Sequence, residues 1–190
     1  TGVLATYGGY DGITFYGGWT LGWDTGFDQY RGGSNWLGGV TFEITDDISF
    51  TYMSTAGNFG FRSAGEEGYS HSIVALVTLS DRLDYVFQSD LVTANGLYGD
   101  DDFENEDYGI NQYLFYTLSD CWKAGVRAEW WKSDQVTGES TSFYELTGGL
   151  NYKPHANVVI RPEIRYDWSP TEFVPDYNRE IFGVDAIFTF

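Results

Sequence analysis

The feature that most constrains this chain is an alternation that recurs along its whole length: apolar or aromatic residues fall at every second position in segments of about ten residues. Successive side chains of a strand point to opposite faces, so each such segment reads as a strand with one apolar face. The stretch from Phe182 to Phe190 shows it plainly, with Phe182, Val184, Ala186, Phe188 and Phe190 sharing one side. An apolar face can sit in a soluble core or against lipid. The two differ in whether such segments recur between alternating short and long polar connections, as membrane barrels require.

About eleven strands are predicted, roughly one per seventeen residues, which is the spacing of barrel hairpins. They are Gly2 to Tyr7, Ile13 to Asp24, Ser34 to Ile44, Ile48 to Gly57, Tyr69 to Leu79, Leu83 to Ala94, Tyr108 to Leu118, Trp122 to Lys132, Phe143 to Tyr152, Asn157 to Trp168 and Ile181 to Phe190. No stretch has a helical period. Short connections with turn chemistry are expected at Gly8 to Asp11, Thr45 to Asp47, Ser80 to Arg82, Ser119 to Asp120 and Lys153 to His155. Long polar ones alternate with them, at Thr25 to Gly33, Asn58 to Gly68, Asn95 to Asp107, Ser133 to Ser142 and Ser169 to Glu180. A soluble Greek-key sandwich would mix the lengths less regularly. The expected fold is therefore all-β, an antiparallel up-and-down transmembrane β-barrel, with residues 1–190 as one domain.

The two faces separate best in the tenth segment. Val158, Ile160, Pro162, Ile164, Tyr166 and Trp168 point one way, and Asn157, Val159, Arg161, Glu163, Arg165 and Asp167 the other. In the eighth, Trp122, Ala124, Val126, Ala128 and Trp130 oppose Lys123, Arg127 and Glu129. Aromatic residues near both ends of the segments suit interface girdles: Trp19, Trp23, Trp36, Trp122, Trp130, Tyr166, Trp168, Phe188 and Phe190 are assigned to the lipid side. The fifth and seventh segments are ambiguous on both faces. Pro162 forfeits a ladder hydrogen bond, and a local bulge is expected there.

Composition narrows the function classes. The aromatic share is 19%, with 24 Gly against 4 Pro, a mix that suits pleated strands with tight turns and argues against disorder. The formal charge of -18 argues against nucleic acid as a partner, since phosphate binding needs clustered Lys and Arg. A lone cysteine, Cys121, allows no intrachain disulfide and no Cys-rich zinc site. No phosphate loop and no two-histidine metal spacing is present, so neither cofactor nor metal is expected. No basic and apolar leader precedes the first strand, which implies that it has been removed or that the sequence begins downstream of one.

Several segments resemble one family. They are Tyr16-Gly17-Gly18-Trp19 with Gly22-Trp23-Asp24-Thr25-Gly26, Gly109 to Tyr116, Asp120-Cys121-Trp122, Glu129-Trp130-Trp131, Leu150 to His155, Arg161 to Trp168, and the Phe-ended last strand. In this order they resemble the OmpL-like β-barrel porins of the porin-2 type, found in outer membranes of the Gram-negative kind. The resemblance implies a passive channel in the bacterial outer membrane, not an enzyme. It also implies a chain about twice as long, of which this is the C-terminal part. An odd strand count agrees, because single-chain bacterial barrels use even numbers. The remaining strands would come from an upstream segment or a partner chain. Phe190 resembles the terminal aromatic that the outer-membrane assembly machinery reads, although Asp185 stands where a glycine is common. Bilayer lipid is the other implied partner, and a homo-oligomer stays open.

The residues expected to line a pore are Asp84, Asp90, Lys123, Arg127, Glu129, Glu145, Arg161, Glu163, Arg165, Asp167 and Asp185. Either they set up a transverse field across a constriction that selects small polar solutes, or they pair with one another and pack the wall. Asp24 and Glu43 add to an acidic lumen, so a weak cation preference is expected. The acidic run Asp100, Asp101, Asp102, Glu104, Glu106 and Asp107 reads as a solvated loop, with divalent-cation bridging to surface phosphates as the alternative. An outer-membrane lipase would need a serine beside His71. Ser70 and Ser72 point to the other face, and no nucleophile elbow is present.

Overall fold

In the computed structural model the strands are β1 (Gly2–Tyr10), β2 (Ile13–Thr20), β3 (Asn35–Thr45), β4 (Ile48–Asn58), β5 (Glu67–Ser80), β6 (Leu83–Asn95), β7 (Glu104–Ser119), β8 (Trp122–Ser133), β9 (Thr141–His155), β10 (Val158–Trp168) and β11 (Asn178–Phe188). The structure describes residues 1–23, 26–27, 33–59, 67–95, 104–134, 140–170 and 177–190. Each strand pairs antiparallel with the next, giving one 11-stranded up-and-down sheet in chain order. Sequential pairing satisfies the backbone groups of every inner strand without water, the condition a spanning sheet must meet. β1 and β11 are its two edges, and among the described residues no ladder joins them.

The expected segments all form, and the differences at their ends have local causes. β1 runs on through Gly8 and Gly9 to Tyr10, because the turn is made at Gly12, where φ is 67°. β2 stops at Thr20 because Gly22, at φ 115°, turns the chain away. Trp23 therefore leaves the ladder. Its ring stacks on Phe59 at 4.5 Å and its N–H donates to the Asn58 carbonyl, so its place is beyond the strand and not in a girdle row. β9 continues through Lys153, Pro154 and His155, which were expected to turn. Pro154 lies past the last β8 pair, Trp122 with Tyr152, so its missing N–H forfeits no ladder bond there.

No bulge forms at Pro162. It pairs in unbroken register with Val184, and the β9 offset is the same on either side of it, at Ile160 with Tyr152 and Glu163 with Gly149. The irregularity sits instead between Val158 and Ile160. β11 ends at Phe188, earlier than expected, because β10 begins at Val158 and offers no further partner. Thr189 still donates its N–H to the Asn157 carbonyl, while Phe190 lies beyond the strand, fully exposed. Of the acidic run, Glu104, Glu106 and Asp107 belong to β7 and not to a loop. Asp100, Asp101 and Asp102, like Asp24, lie outside the described residues.

Burial in this sheet is inverted relative to a soluble protein. Only Phe59, Ala94 and Phe143 are buried hydrophobics among the described residues, whereas Glu145 is 5% exposed and Asp167 4%. Ile164 and Phe182, by contrast, are 62% and 73% exposed. Leu114, Val126, Gly148, Ile164 and Phe182 occupy one row across β7 to β11, so the exposed apolar surface is continuous from strand to strand. Apolar surface of that extent marks an interaction face.

The sheet also depends on close backbone approach at the long-loop end of β3 and β4. Gly57 has φ 143°, and a Cβ there would overlap the Ser34 carbonyl oxygen. Gly57→Ala is expected to destabilise the fold by about 2 kcal/mol. A urea titration that leaves the midpoint unmoved would contradict this reading of the contact.

Candidate functional site

The charged face is built by register. Asn111, Glu129, Glu145, Asp167 and Arg179 stand side by side on β7 to β11. The next row on the same face, towards the short turns, is Tyr113, Arg127, Thr147, Arg165 and Ile181. Two arginines are thereby placed diagonally beside three carboxylates. Diagonal neighbours on one face lie within reach of long side chains.

Glu145 is the hub of the resulting network. It accepts from Arg127 Nε at 2.8 Å and also from Arg127 Nη2, accepts from the Thr147 hydroxyl at 2.6 Å, and forms an ion pair with Arg165 Nε at 2.9 Å. Arg165 also donates to both oxygens of Asp167, at 2.6 and 2.8 Å, and Arg127 approaches Glu129 at 3.9 Å. Two further pairs lie nearer the short turns: Lys123 with Asp84 at 2.7 Å and Arg161 Nε with Asp185 at 2.8 Å. Asp90 accepts from Gln88 at 2.8 Å. Glu163 sits on this face between Gly149 and Gly183 and takes part in none of these pairs.

All eleven residues proposed for the pore thus share one face, on β6 and β8 to β11. Three of the four cations among them are engaged by a carboxylate from their own or an adjacent strand, and Lys123 reaches across β7 to Asp84 on β6. Sequence reasoning missed four contributors. Thr147 and Arg179 enter only through register, and the Tyr113 and Phe115 rings, 6.1 Å apart and within 14° of parallel, lie on a strand whose faces were ambiguous. No pattern within a single segment marks any of them.

The apolar face carries aromatic clusters at both ends. Trp122 stacks on Tyr152 at 4.3 Å by the short turns. At the other end Tyr144, Trp168 and Tyr166 stack in series, each 5.5 Å from the next. Trp130 Nε1 donates to Ser142, and Trp19 opposes Trp36. His71 also lies on this face. Its Nδ1 is 3.2 Å from the Tyr69 hydroxyl, which in turn meets the Tyr52 hydroxyl at 2.6 Å, while Ser70 and Ser72 face the charged side. Among the described residues no group of His, Cys, Asp and Glu is arranged to hold a metal ion.

Comparison with known proteins agrees with this architecture. Among solved structures, the outer membrane channel DcaP of Acinetobacter baumannii superposes with a TM-score of 0.75 at 14% identity, covering 100% of this chain and 62% of that one. The CymD monoaromatic hydrocarbon channel superposes with a TM-score of 0.51 at 10% identity, covering 97% of this chain and 59% of that one. The chain therefore spans about three-fifths of the length of these channels. No curated protein sequence matches it. Residues 1–190 match the family described as "Putative beta-barrel porin-2, OmpL-like". An all-β up-and-down sheet with an exposed apolar face, matched over its full length to that description, belongs to the OmpL-like porin-2 family of bacterial outer-membrane β-barrels.

Proposed function

We propose that this chain forms part of the wall of a passive outer-membrane channel for small hydrophilic solutes and ions. The observation that carries the reading is the inverted sheet: buried, ion-paired Glu145 and Asp167 on one face, exposed Ile164 and Phe182 on the other. Such a sheet is stable only where water meets the charged side and lipid the apolar side. That both structural neighbours are channels supports the same role, and the strands needed to close the barrel would lie outside residues 1–190.

Selectivity follows from the charge balance of that face. Asp84, Asp90, Glu129, Glu145, Glu163, Asp167 and Asp185 outnumber Lys123, Arg127, Arg161, Arg165 and Arg179, so the wall carries a net negative potential and favours cations weakly. The face is too charged to suit a hydrocarbon path, because apolar solutes would strip water from carboxylates without replacing its hydrogen bonds.

The test is planar-bilayer recording of the detergent-purified full-length protein. Stepwise ion conductance is expected, with a reversal potential in a potassium chloride gradient on the cation-selective side. A folded, inserted protein that passes no current would sink the channel reading. An anion-selective reversal potential would sink the charge argument alone.

A further inference from the structure

On the short-turn side of the Glu145 network the charged face is hollowed into a recess of about 260 Å³. Register explains it. Phe115, Gly125, Gly149 and Glu163 form one row across β7 to β10, so two adjacent strands carry no side chain between an aromatic ring and a carboxylate. The space at Gly125 is bounded by the Phe115 ring, whose edge would lie 2.9 Å from a Cβ placed there. Tyr113 and Phe115 wall the recess on the β7 side, Arg127 rims it above, and Asn151 and Arg161 rim it below. The volume falls under the roughly 300–1,000 Å³ of sites for drug-sized ligands, a scale that suits one ring.

The polar rim is nearly neutral by construction. Arg127 turns its Nε and Nη2 edge to Glu145, and Arg161 turns the same edge to Asp185. Each guanidinium carries five N–H donors, so both keep donors beyond those pairs while their charge is already balanced. Glu163 adds acceptors, and the Asn151 amide offers both kinds of group. The recess therefore presents an aromatic wall, several fixed donors, several acceptors and no uncompensated cation.

We propose that this recess is a binding station for an uncharged hydroxylated six-membered ring, that is, a monosaccharide unit. The inference rests on the charged face being a pore wall. A sugar ring has one apolar face to lay against Tyr113 and Phe115, and hydroxyls that both donate and accept around its edge. An anion would meet Glu163 with every neighbouring cation neutralised. A cation would find one carboxylate outside the ion pairs, flanked by two guanidinium groups. A hydrocarbon would leave the rim desolvated and unpaired, at a cost for each polar group.

The experiment is current recording of the full-length channel in planar bilayers with D-glucose added, and D-glucuronate and D-glucosamine as charged analogues of the same ring. Saturable current block by glucose is expected, stronger than by either analogue. Phe115→Ala should raise the half-blocking concentration about tenfold while leaving an open, conducting channel, which also reports that the variant folds. Glu163→Gln, a conservative change, should raise it several-fold. Current that falls with glucose only as the bulk conductivity does would overturn the proposal, as would block unchanged in both variants or block led by a charged analogue. Those results leave the channel reading standing, whereas absence of conductance would overturn both.

Discussion

Glu145→Leu is expected to cost about 2 kcal/mol of unfolding free energy, somewhat under the roughly 3–5 kcal/mol of breaking a fully buried ion pair. The carboxylate holds two guanidinium groups and the Thr147 hydroxyl at once, and its side chain is 6% exposed. Without it Arg127 keeps only Glu129, at 3.9 Å, and Thr147 loses its acceptor. The cost stays below the buried limit because the Arg127 and Arg165 side chains are 30% and 37% exposed, so water recovers part of their solvation. The measurement is a urea titration of the protein folded into lipid vesicles. Glu145→Gln separates stability from charge: it keeps most of the hydrogen bonding, yet should move the reversal potential towards anions. If neither the midpoint nor the selectivity moved, Glu145 would not be the centre of the network.

Val126→Arg should destabilise the protein in a bilayer by about 2–4 kcal/mol, the cost of a basic side chain at the midplane of a barrel's lipid face. Val126 is 51% exposed, stands midway between Trp122 and Trp130 on β8, and shares its row with Leu114 and Ile164. A matched control lies on the other face. Ser72 pairs in register with Asp90, so Ser72→Lys places its charge beside a carboxylate and should cost little. Equal penalties at both positions would mean that lipid does not contact the face carrying Val126. A reversed order would exchange the two faces altogether.

How far the sequence could be read depended on the range of the interaction involved. Strand number, strand type and the alternation of short and long connections are local, and β10 shows why they were legible. From Val158 to Trp168 every second residue is apolar, and the register keeps those residues on one face. Strand ends were less legible, because they depend on where the neighbouring strand stops. Phe190 continues the periodicity of β11, yet β10 offers no partner beyond Val158, and the strand ends at Phe188. Pro154 has the chemistry of a turn, but it lies past the end of the β8 ladder and stays extended. For β5 and β7 alternation could not choose a face, since both sides mix polar and apolar groups. Their pairing with β4, β6 and β8 decided it.

The sequence by itself determined that this chain is an antiparallel sheet with a charged and an apolar face, because a two-residue period leaves no other arrangement of its side chains. It also marked eleven charged residues of the polar side, though not Arg179, which joins them only through its pairing with Asp167. Only the tertiary structure decided which of those charges meet. Glu145 is joined to Arg127 and Arg165, and Gly125 to Gly149, by the register of three strands whose residues lie far apart in the chain. A shift of one residue in either ladder would send those side chains to opposite faces, undoing both the ion-pair hub and the recess below it.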